Sequence, residues 1–328
     1  MRYFCTYFNA GYLDRALVLL ESMRRWIPEF TLHVLAFDGQ VVEFFASRDW
    51  PEVVVEPLAV FELRNPDVAA VKSQRSRAEY FFTCTGAWIH EVFERHPEID
   101  VLTYVDADLC FFSSAEPIYD ALGARAILIT AHNPLARPDT ASLYGRYNVG
   151  LLTFRSSAAG RACVRRWRDQ CVAWCYDRLE DGKFADQKYL DDWPEVYSGQ
   201  VAVAPPGINT GPWSLRAGSL GIDEAGCPLI DGHPLVAYHF QGLRLFSPRH
   251  YYLGYYFSFN PASVLRTLYE PYVRKVVAAG AACGVRAPAS GRYDAKGWLY
   301  RWATGYWVGR PFRSWVMWLL HHYVLRIA

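Results

Sequence analysis

Apolar and polar positions in the first third of the chain repeat with two alternating periods. Residues 2–8 are a short aromatic-rich run that predicts a strand, and Asn9-Ala10-Gly11 predicts a turn. The next segment, 12–26, carries Leu13, Leu17, Leu20 and Met23 at helical spacing. Alternation over 31–37, ending at Asp38-Gly39, predicts a second strand, and a short helix at 41–47 leads to a third strand at 53–58. A long helix is predicted over 78–95, followed by a buried strand at 101–105. This β-α-β-α-β order predicts an α/β fold, a parallel sheet with helices on both faces.

The second half keeps the sheet pattern for a while and then drops it. Residues 126–130 and 149–154 predict strands, and 159–178 predicts a helix rich in Arg and Trp. The stretch 201–221 reads as loop, with Pro205-Pro206-Gly207 and Asn209-Thr210-Gly211-Pro212. Residues 235–240 predict one more strand. From Pro261 onward only helical periodicity remains, broken by a Gly/Ala/Pro/Ser stretch at 280–291. The expected division is therefore 1–260 and a helical extension, 261–328. There is no internal repeat.

Composition narrows this picture. The chain has 328 residues, of which 52% are hydrophobic and 16% aromatic, so it can bury a large core and is not a disordered segment. The net charge of +1 is unevenly spread: Arg286, Arg292, Lys296, Arg301, Arg310, Arg313 and Arg326 face only Asp294 in the tail. A near-neutral to acidic body with a basic tail argues against nucleic acid as the main partner. The eight cysteines form no CxxC pair, and Cys163, Cys171 and Cys175 lack a nearby His for zinc. Met1-Arg2-Tyr3-Phe4-Cys5 leads straight into a strand, and no apolar run reaches the roughly 18 residues of a membrane span. A reducing, cytoplasmic location is the expectation.

The chemistry concentrates at strand ends. Tyr104-Val105-Asp106-Ala107-Asp108 closes a buried strand with two carboxylates, whose desolvation requires compensation. Side chains at i and i+2 of a strand share a face, so both acids can address one point, and a divalent cation is the simplest partner. Capping the next turn or pairing with arginines are the alternatives. His239 ends the 235–240 strand, and an imidazole with two carboxylates suits Mn²⁺. Gly242 would let backbone approach a ligand, and Arg244 offers a planar fork for phosphate. Tyr7, Asn9 and Asp38 also fall just past strand ends, where open α/β sheets bind ligands.

Taken in this order, these motifs resemble the nucleotide-diphospho-sugar glycosyltransferases of the GT-A fold. They are most similar to the retaining family that contains glycogenin and the bacterial lipopolysaccharide galactosyltransferases. The resemblance spans about residues 1–250 and rests on four pieces. These are Phe4-Cys5-Thr6-Tyr7-Phe8-Asn9 with Tyr12; Asp106-Ala107-Asp108; Asn148-Val149-Gly150 followed by Asp186-Gln187; and His239-Phe240-Gln241-Gly242. Where the family carries Lys-Pro-Trp after its late glycine, this chain has Leu243-Arg244-Leu245-Phe246.

The resemblance implies a Rossmann-like, mostly parallel sheet and a metal-dependent transfer of sugar to a glycan or lipid-linked acceptor, with retention. It implies that Asp106, Asp108 and His239 ligate Mn²⁺ or Mg²⁺, and that Asp106 also meets the ribose. Tyr7, Asn9 and Tyr12 would hold base and ribose, with Gly242 and Arg244 at the diphosphate. Arg77 would reach diphosphate or sugar, unless it is simply a solvated charge at a helix start. Asn148, Asp186 and Gln187 would face sugar or acceptor, with Asp186 nearest the anomeric carbon. Two other classes remain open. A sugar nucleotidyltransferase would need a longer Gly-rich basic loop than Asn9-Ala10-Gly11, and a non-catalytic carbohydrate-binding relative would keep the fold without turnover.

The tail carries Trp298, Trp302, Trp307, Trp315 and Trp318 with Arg301, Arg310 and Arg313, and Val316, Leu319, Leu320, Tyr323, Val324 and Ile327 recur at helical spacing. An amphipathic helix of this kind suits a membrane interface, and equally suits packing on the body or on a second subunit. Peripheral contact with the cytoplasmic membrane face is the expectation.

Overall fold

A computed structural model describes residues 1–132, 143–247, 250–253, 261–284 and 325–326. Its first half follows the predicted alternation: β1 (Arg2–Phe8), α1 (Leu13–Trp26), β2 (Phe30–Ala36), α2 (Gly39–Ala46) and β3 (Val53–Pro57). Short helices α3 (Leu58–Arg64) and α4 (Pro66–Ala70) then lead to α5 (Arg77–Arg95) and β4 (Val101–Val105). Helix starts follow local side-chain chemistry. Asp38 caps α2 by accepting from the Val41 amide at 3.2 Å. Ser76 and Glu79 form a reciprocal capping box on α5, which fixes its first turn.

Beyond β4 come β5 (Leu109–Phe111), α6 (Glu116–Leu122), β6 (Ile127–Ala131), β7 (Tyr147–Arg155), α7 (Ala158–Ala173), α8 (Trp193–Val196) and β8 (Val201–Val203). Seven strands form one sheet in the order β3-β2-β1-β4-β7-β6-β8. Four of its neighbouring pairs are parallel, while β7 runs antiparallel to both β4 and β6. The sheet is thus mixed and mostly parallel. One apolar layer puts Phe4, Phe8, Leu32, Val34 and Leu151 against α1 and α6. The other puts Cys5, Leu35, Leu102, Leu152 and Phe154 against α5 and α7. Burial on both faces explains why these strands read as nearly continuous apolar runs.

The structure departs from the sequence pattern in four places. Helix α7 stops at Ala173, because Trp174 adopts an extended backbone, rather than running to 178. The loop-rich 201–221 stretch contains β8 and β9 (Leu220–Ile222), and β9 joins β10 (Pro228–Ile230) and β11 (His233–Pro234) in a small sheet. The strand at 235–240 is shorter, β12 (Ala237–His239), and pairs antiparallel with β5 outside the main sheet. Finally, β13 (Arg244–Ser247) and β14 (His250–Tyr252) form a hairpin, and β15 (Leu325–Arg326) pairs with β14. The extension from Pro261 is therefore not helix alone.

Within that extension, α9 (Ala262–Val264), a π-helical turn (Leu265–Tyr269) and α10 (Glu270–Ala282) are described. Helix α10 packs on α1, and Tyr272 stacks flat on Phe240, with ring centroids 3.6 Å apart at 2°. The tryptophan-rich residues 298–324 proposed for a membrane interface lie outside the described residues.

Candidate functional site

The acid pair is presented by a turn rather than by the strand pleat. Asp106 and Asp108 lie just past the end of β4, and the Leu109 amide donates back to the Asp106 carbonyl at 3.1 Å. The chain thereby reverses into β5, which pairs with β12 so that Leu109 faces His239. The Phe240 amide donates to the Asp108 carbonyl at 3.1 Å, closing the joint. As a result, Nε2 of His239 lies 3.1 Å from Asp108 Oδ1 and 3.4 Å from Asp106 Oδ2. Ligand atoms of the three residues all lie within 4.8 Å of one another. Asp106 is steadied by the Tyr104 hydroxyl, which donates to its Oδ1 at 2.5 Å.

Two carboxylates and one imidazole converging this closely fit a divalent cation that accepts oxygen and nitrogen together. Asp108 is the more enclosed acid, with a side chain 10% exposed against 31% for Asp106, which leaves an approach from the Asp106 side. Burial opposes charge throughout. Even so, Asp108 and then Asp106 hold the His239 imidazole above its ordinary pKa, and His239, with Arg15 behind it, holds Asp108 below its own. Protonation of His239 and binding of a cation would thus stabilise the acid pair in the same sense. Among the described residues this is the only group of three or more metal-ligating side chains, and the three cysteines of 163–175 form none.

His239 is held from both sides. Gly150 lies against one side of its ring, and Trp213 meets the ring edge-on at 5.2 Å and 86°. The Asp106 amide donates to the Gly150 carbonyl at 2.9 Å, so β7 also fixes the DxD turn. Beside Gly150, Asn148 Oδ1 accepts from the Gly150 amide and from Asn209 Nδ2, both at 2.9 Å. Asn209 also donates to Thr130 at 2.7 Å, and Asn148 Nδ2 faces Gln187 Oε1 at 3.4 Å.

Asp186 forms a second acidic point. Its Oδ2 accepts from Thr85 at 3.0 Å, and Thr85 in turn lies 3.1 Å from the Tyr7 hydroxyl. Burial pushes Asp186 up to about 7; the Thr85 hydrogen bond opposes this and the Asp106 charge reinforces it. Burial raises the pKa of the Tyr7 hydroxyl, and the charges of Asp106 and Asp186 add to the rise. Its ring packs with Tyr104, Phe37 and Phe81.

On the α1 side, Asp38 accepts from the Ala10 amide at 2.8 Å and so shapes the loop after β1. Asn9 Oδ1 is sealed from solvent without a hydrogen-bond partner. Tyr12 is exposed, and the Asp108 charge and then burial raise its pKa. Arg15 donates to Asp14 at 3.0 Å and to the Leu243 carbonyl at 3.2 Å, joining α1 to the loop after His239. In that loop Gly242 has φ 79, the left-handed region, and Arg244 is exposed. Arg77 is exposed at the start of α5, its guanidinium 5.5 Å from the Phe81 ring centre.

Sequence reasoning passed over Thr85, Arg15, Asn209, Trp213 and the packing role of Gly150. One signal was available. Arg77, Phe81 and Thr85 recur every fourth residue along α5, so they share a helix face. Trp213 and Asn209 come from a long loop, whose contacts no periodicity encodes.

Comparison with known proteins agrees with this geometry at the level of fold. No protein-family model matches the chain. It is 28% identical over 251 residues to the uncharacterized protein YfnF of Bacillus subtilis (strain 168), covering 74% of this chain and 82% of that protein. It is 26% identical over 276 residues to the uncharacterized protein YfnD of the same organism, covering 83% and 87%. Among solved structures it is similar to the galactosyltransferase LgtC, crystallised in complex with donor and acceptor sugar analogs. That match has a TM-score of 0.50 at 16% identity and covers 73% of this chain and 87% of LgtC. The fold is the GT-A glycosyltransferase fold, and the group of Asp106, Asp108 and His239 resembles its DxD metal site.

Proposed function

We propose that the chain is a metal-dependent glycosyltransferase, moving a sugar from a nucleotide-diphosphate donor to a glycan or lipid-linked acceptor. The convergence of Asp106, Asp108 and His239 at the carboxyl rim of a GT-A sheet carries this reading. The donor set favours Mn²⁺, with Mg²⁺ as the alternative. When bound there, the cation would neutralise charge developing on the departing nucleoside diphosphate.

The protein's own groups then bind and orient. Asn9 and Tyr12, with Tyr7 beneath them, hold base and ribose; Gly242 and Arg244 approach the diphosphate; Arg77 reaches across Phe81 toward the donor. Asn148 and Gln187 face the sugar and the acceptor. Asp186, the acid assigned nearest the anomeric carbon, is pushed up to about 7 by burial, so its protonated form, which can donate a hydrogen bond there, is accessible near neutral pH. We assign retention: the acceptor hydroxyl attacks on the face the diphosphate leaves, and a departing phosphate oxygen takes its proton. The division at 260 and a cytoplasmic setting with peripheral membrane contact through 298–328 belong to the same proposal. Among the described residues no helix is long and apolar enough to cross a membrane.

Thermal unfolding with a panel of UDP-, GDP-, CDP- and TDP-sugars, in Mn²⁺ and in EDTA, tests this reading. A true donor raises Tm only with metal, by mass action. If no nucleotide sugar stabilises the metal-loaded protein, the reading is abandoned. Loss of residues 298–328 should also weaken liposome binding; unaltered binding removes the membrane part alone.

A further inference from the structure

We propose that His132 orients the acceptor sugar by accepting a hydrogen bond from one of its hydroxyls other than the attacking one, on the side of His239 that carries Trp213. The inference rests on the glycosyltransferase reading and adds a residue that the motifs leave out. Strands β4 and β6 both run antiparallel to β7, so they end on the same rim of the sheet. His132 is the first residue past β6, as Asp106 is the first past β4. Its ring meets Trp213 edge-on at 5.1 Å and 77°, and Trp213 meets His239 in the same manner. One buried indole therefore separates this imidazole from the candidate metal ligand.

The hydrogen bonding of His132 fixes what it can offer. Nδ1 lies 3.4 Å from the Gly145 carbonyl. A carbonyl only accepts, so Nδ1 carries the hydrogen, and in the neutral ring Nε2 is then a bare lone pair. Burial, with the His239 charge acting in the same direction, lowers the pKa of His132 and so favours the neutral ring. Among the described residues Nε2 has no protein partner, and the ring is only half-buried. Nearby, Asn209 Oδ1 and Trp213 Nε1 are also buried without partners. The half-exposed lone pair of His132 suits a sugar hydroxyl, which can donate to it.

The His132 assignment is tested by ¹⁵N NMR of the imidazole and by donor turnover. The NMR should show the hydrogen on Nδ1; a neutral ring protonated on Nε2 overturns the assignment. Turnover is read as nucleoside diphosphate release from the donor found above, with water alone and with a panel of methyl hexosides. His132→Leu should lower kcat by about tenfold or more, with donor KM and metal-dependent donor stabilisation within about twofold of wild type. His132→Gln, whose amide oxygen can still accept, should fall between the two. Unchanged turnover in His132→Leu overturns the inference, and so does a donor KM that rises in step with the loss. A wild type that binds donor with metal yet releases no diphosphate sinks the catalytic reading and this inference together. A wild type that binds no donor sinks the proposed function itself.

Discussion

The imidazole of His239 occupies the space in which Gly150 would carry a side chain. A Cβ on Gly150 would stand 2.5 Å from Cε1 of His239 and 2.8 Å from Oδ1 of Asn148, and closer still to Nδ1 of the ring. Gly150→Ala must therefore push the ring away from the two acids. The expected result is a loss of Mn²⁺ affinity on the order of 10- to 100-fold, as when support of a metal ligand is removed. Titration followed by electron paramagnetic resonance measures it, with circular dichroism as the check on folding. Wild-type affinity in a folded variant would show that Gly150 does not set the ring.

Removing a ligand should act more sharply and reveal a proton. Asp108→Asn and His239→Ala are each expected to abolish metal-dependent donor stabilisation. Because the acids hold His239 above its ordinary pKa, protons and Mn²⁺ compete for its ring. Affinity for Mn²⁺ should therefore weaken as pH falls. Calorimetry in buffers of different ionisation heat would detect the released proton, and its absence would argue against His239 as a ligand.

Asp186 should make the metal-free protein less stable in mild alkali. Its folded pKa of about 7 lies above the 3.8 of an unperturbed Asp, so the folded state keeps a proton that the unfolded chain gives up. The favourable contribution is complete below 3.8 and is lost as pH rises through about 7, a swing of up to roughly 4 kcal/mol. Asp186→Asn should raise Tm near pH 8 by several degrees and change it little near pH 4. An equal shift at both pH values would count against the buried acid.

His33 has the opposite pH dependence. Burial, with the His96 ring 4.5 Å away and Arg95 close by, pushes it down to about 4 despite Glu98. The folded protein refuses a proton that the unfolded chain accepts near 6.5, so stability is full above that value and falls toward about 4. Denaturant titrations should show a loss of roughly 2 kcal/mol between about pH 7 and pH 5 from this residue. A His33→Leu variant should lack that slope; if it keeps the slope, another group is responsible.

The stack of Tyr272 on Phe240 ties helix α10 to the residue next to His239. Tyr272→Ala should cost about 3–5 kcal/mol and weaken metal binding. The Tyr272 hydroxyl, by contrast, is buried without a partner. Tyr272→Phe should thus be neutral or stabilising by up to about 1 kcal/mol. A marked loss in Tyr272→Phe would reveal a hydrogen bond formed through water.

The alternation of periods revealed β1 to β4, and a carboxylate pair at a strand end pointed to the metal group. Strand direction was hidden. Val149, Leu151, Leu152 and Phe154 are all buried, and a strand buried on both faces reads alike in either sense, so the antiparallel β7 left no trace. Strands as short as β5 and β12 fall below any periodicity, and their pairing brings His239 to Asp108 by a route the main sheet does not predict. The expected i, i+2 strand geometry of the acids failed for a related reason: the chain turns immediately after Val105. The Thr85–Asp186 hydrogen bond and the Trp213–His239 contact are tertiary, and no local pattern announces them.

The joining of β5 to β12 also sets an order of events during synthesis. Asp106 and Asp108 leave the ribosome well before His239, and the helix carrying Tyr272 emerges later still. The nascent sheet must therefore carry two neighbouring carboxylates with no imidazole beside them until the later segment arrives. A chain interrupted before residue 239 would hold most of the core and no completed metal group. The metal group is thus completed only after most of the main sheet has been made, and its formation reports that translation has passed the histidine.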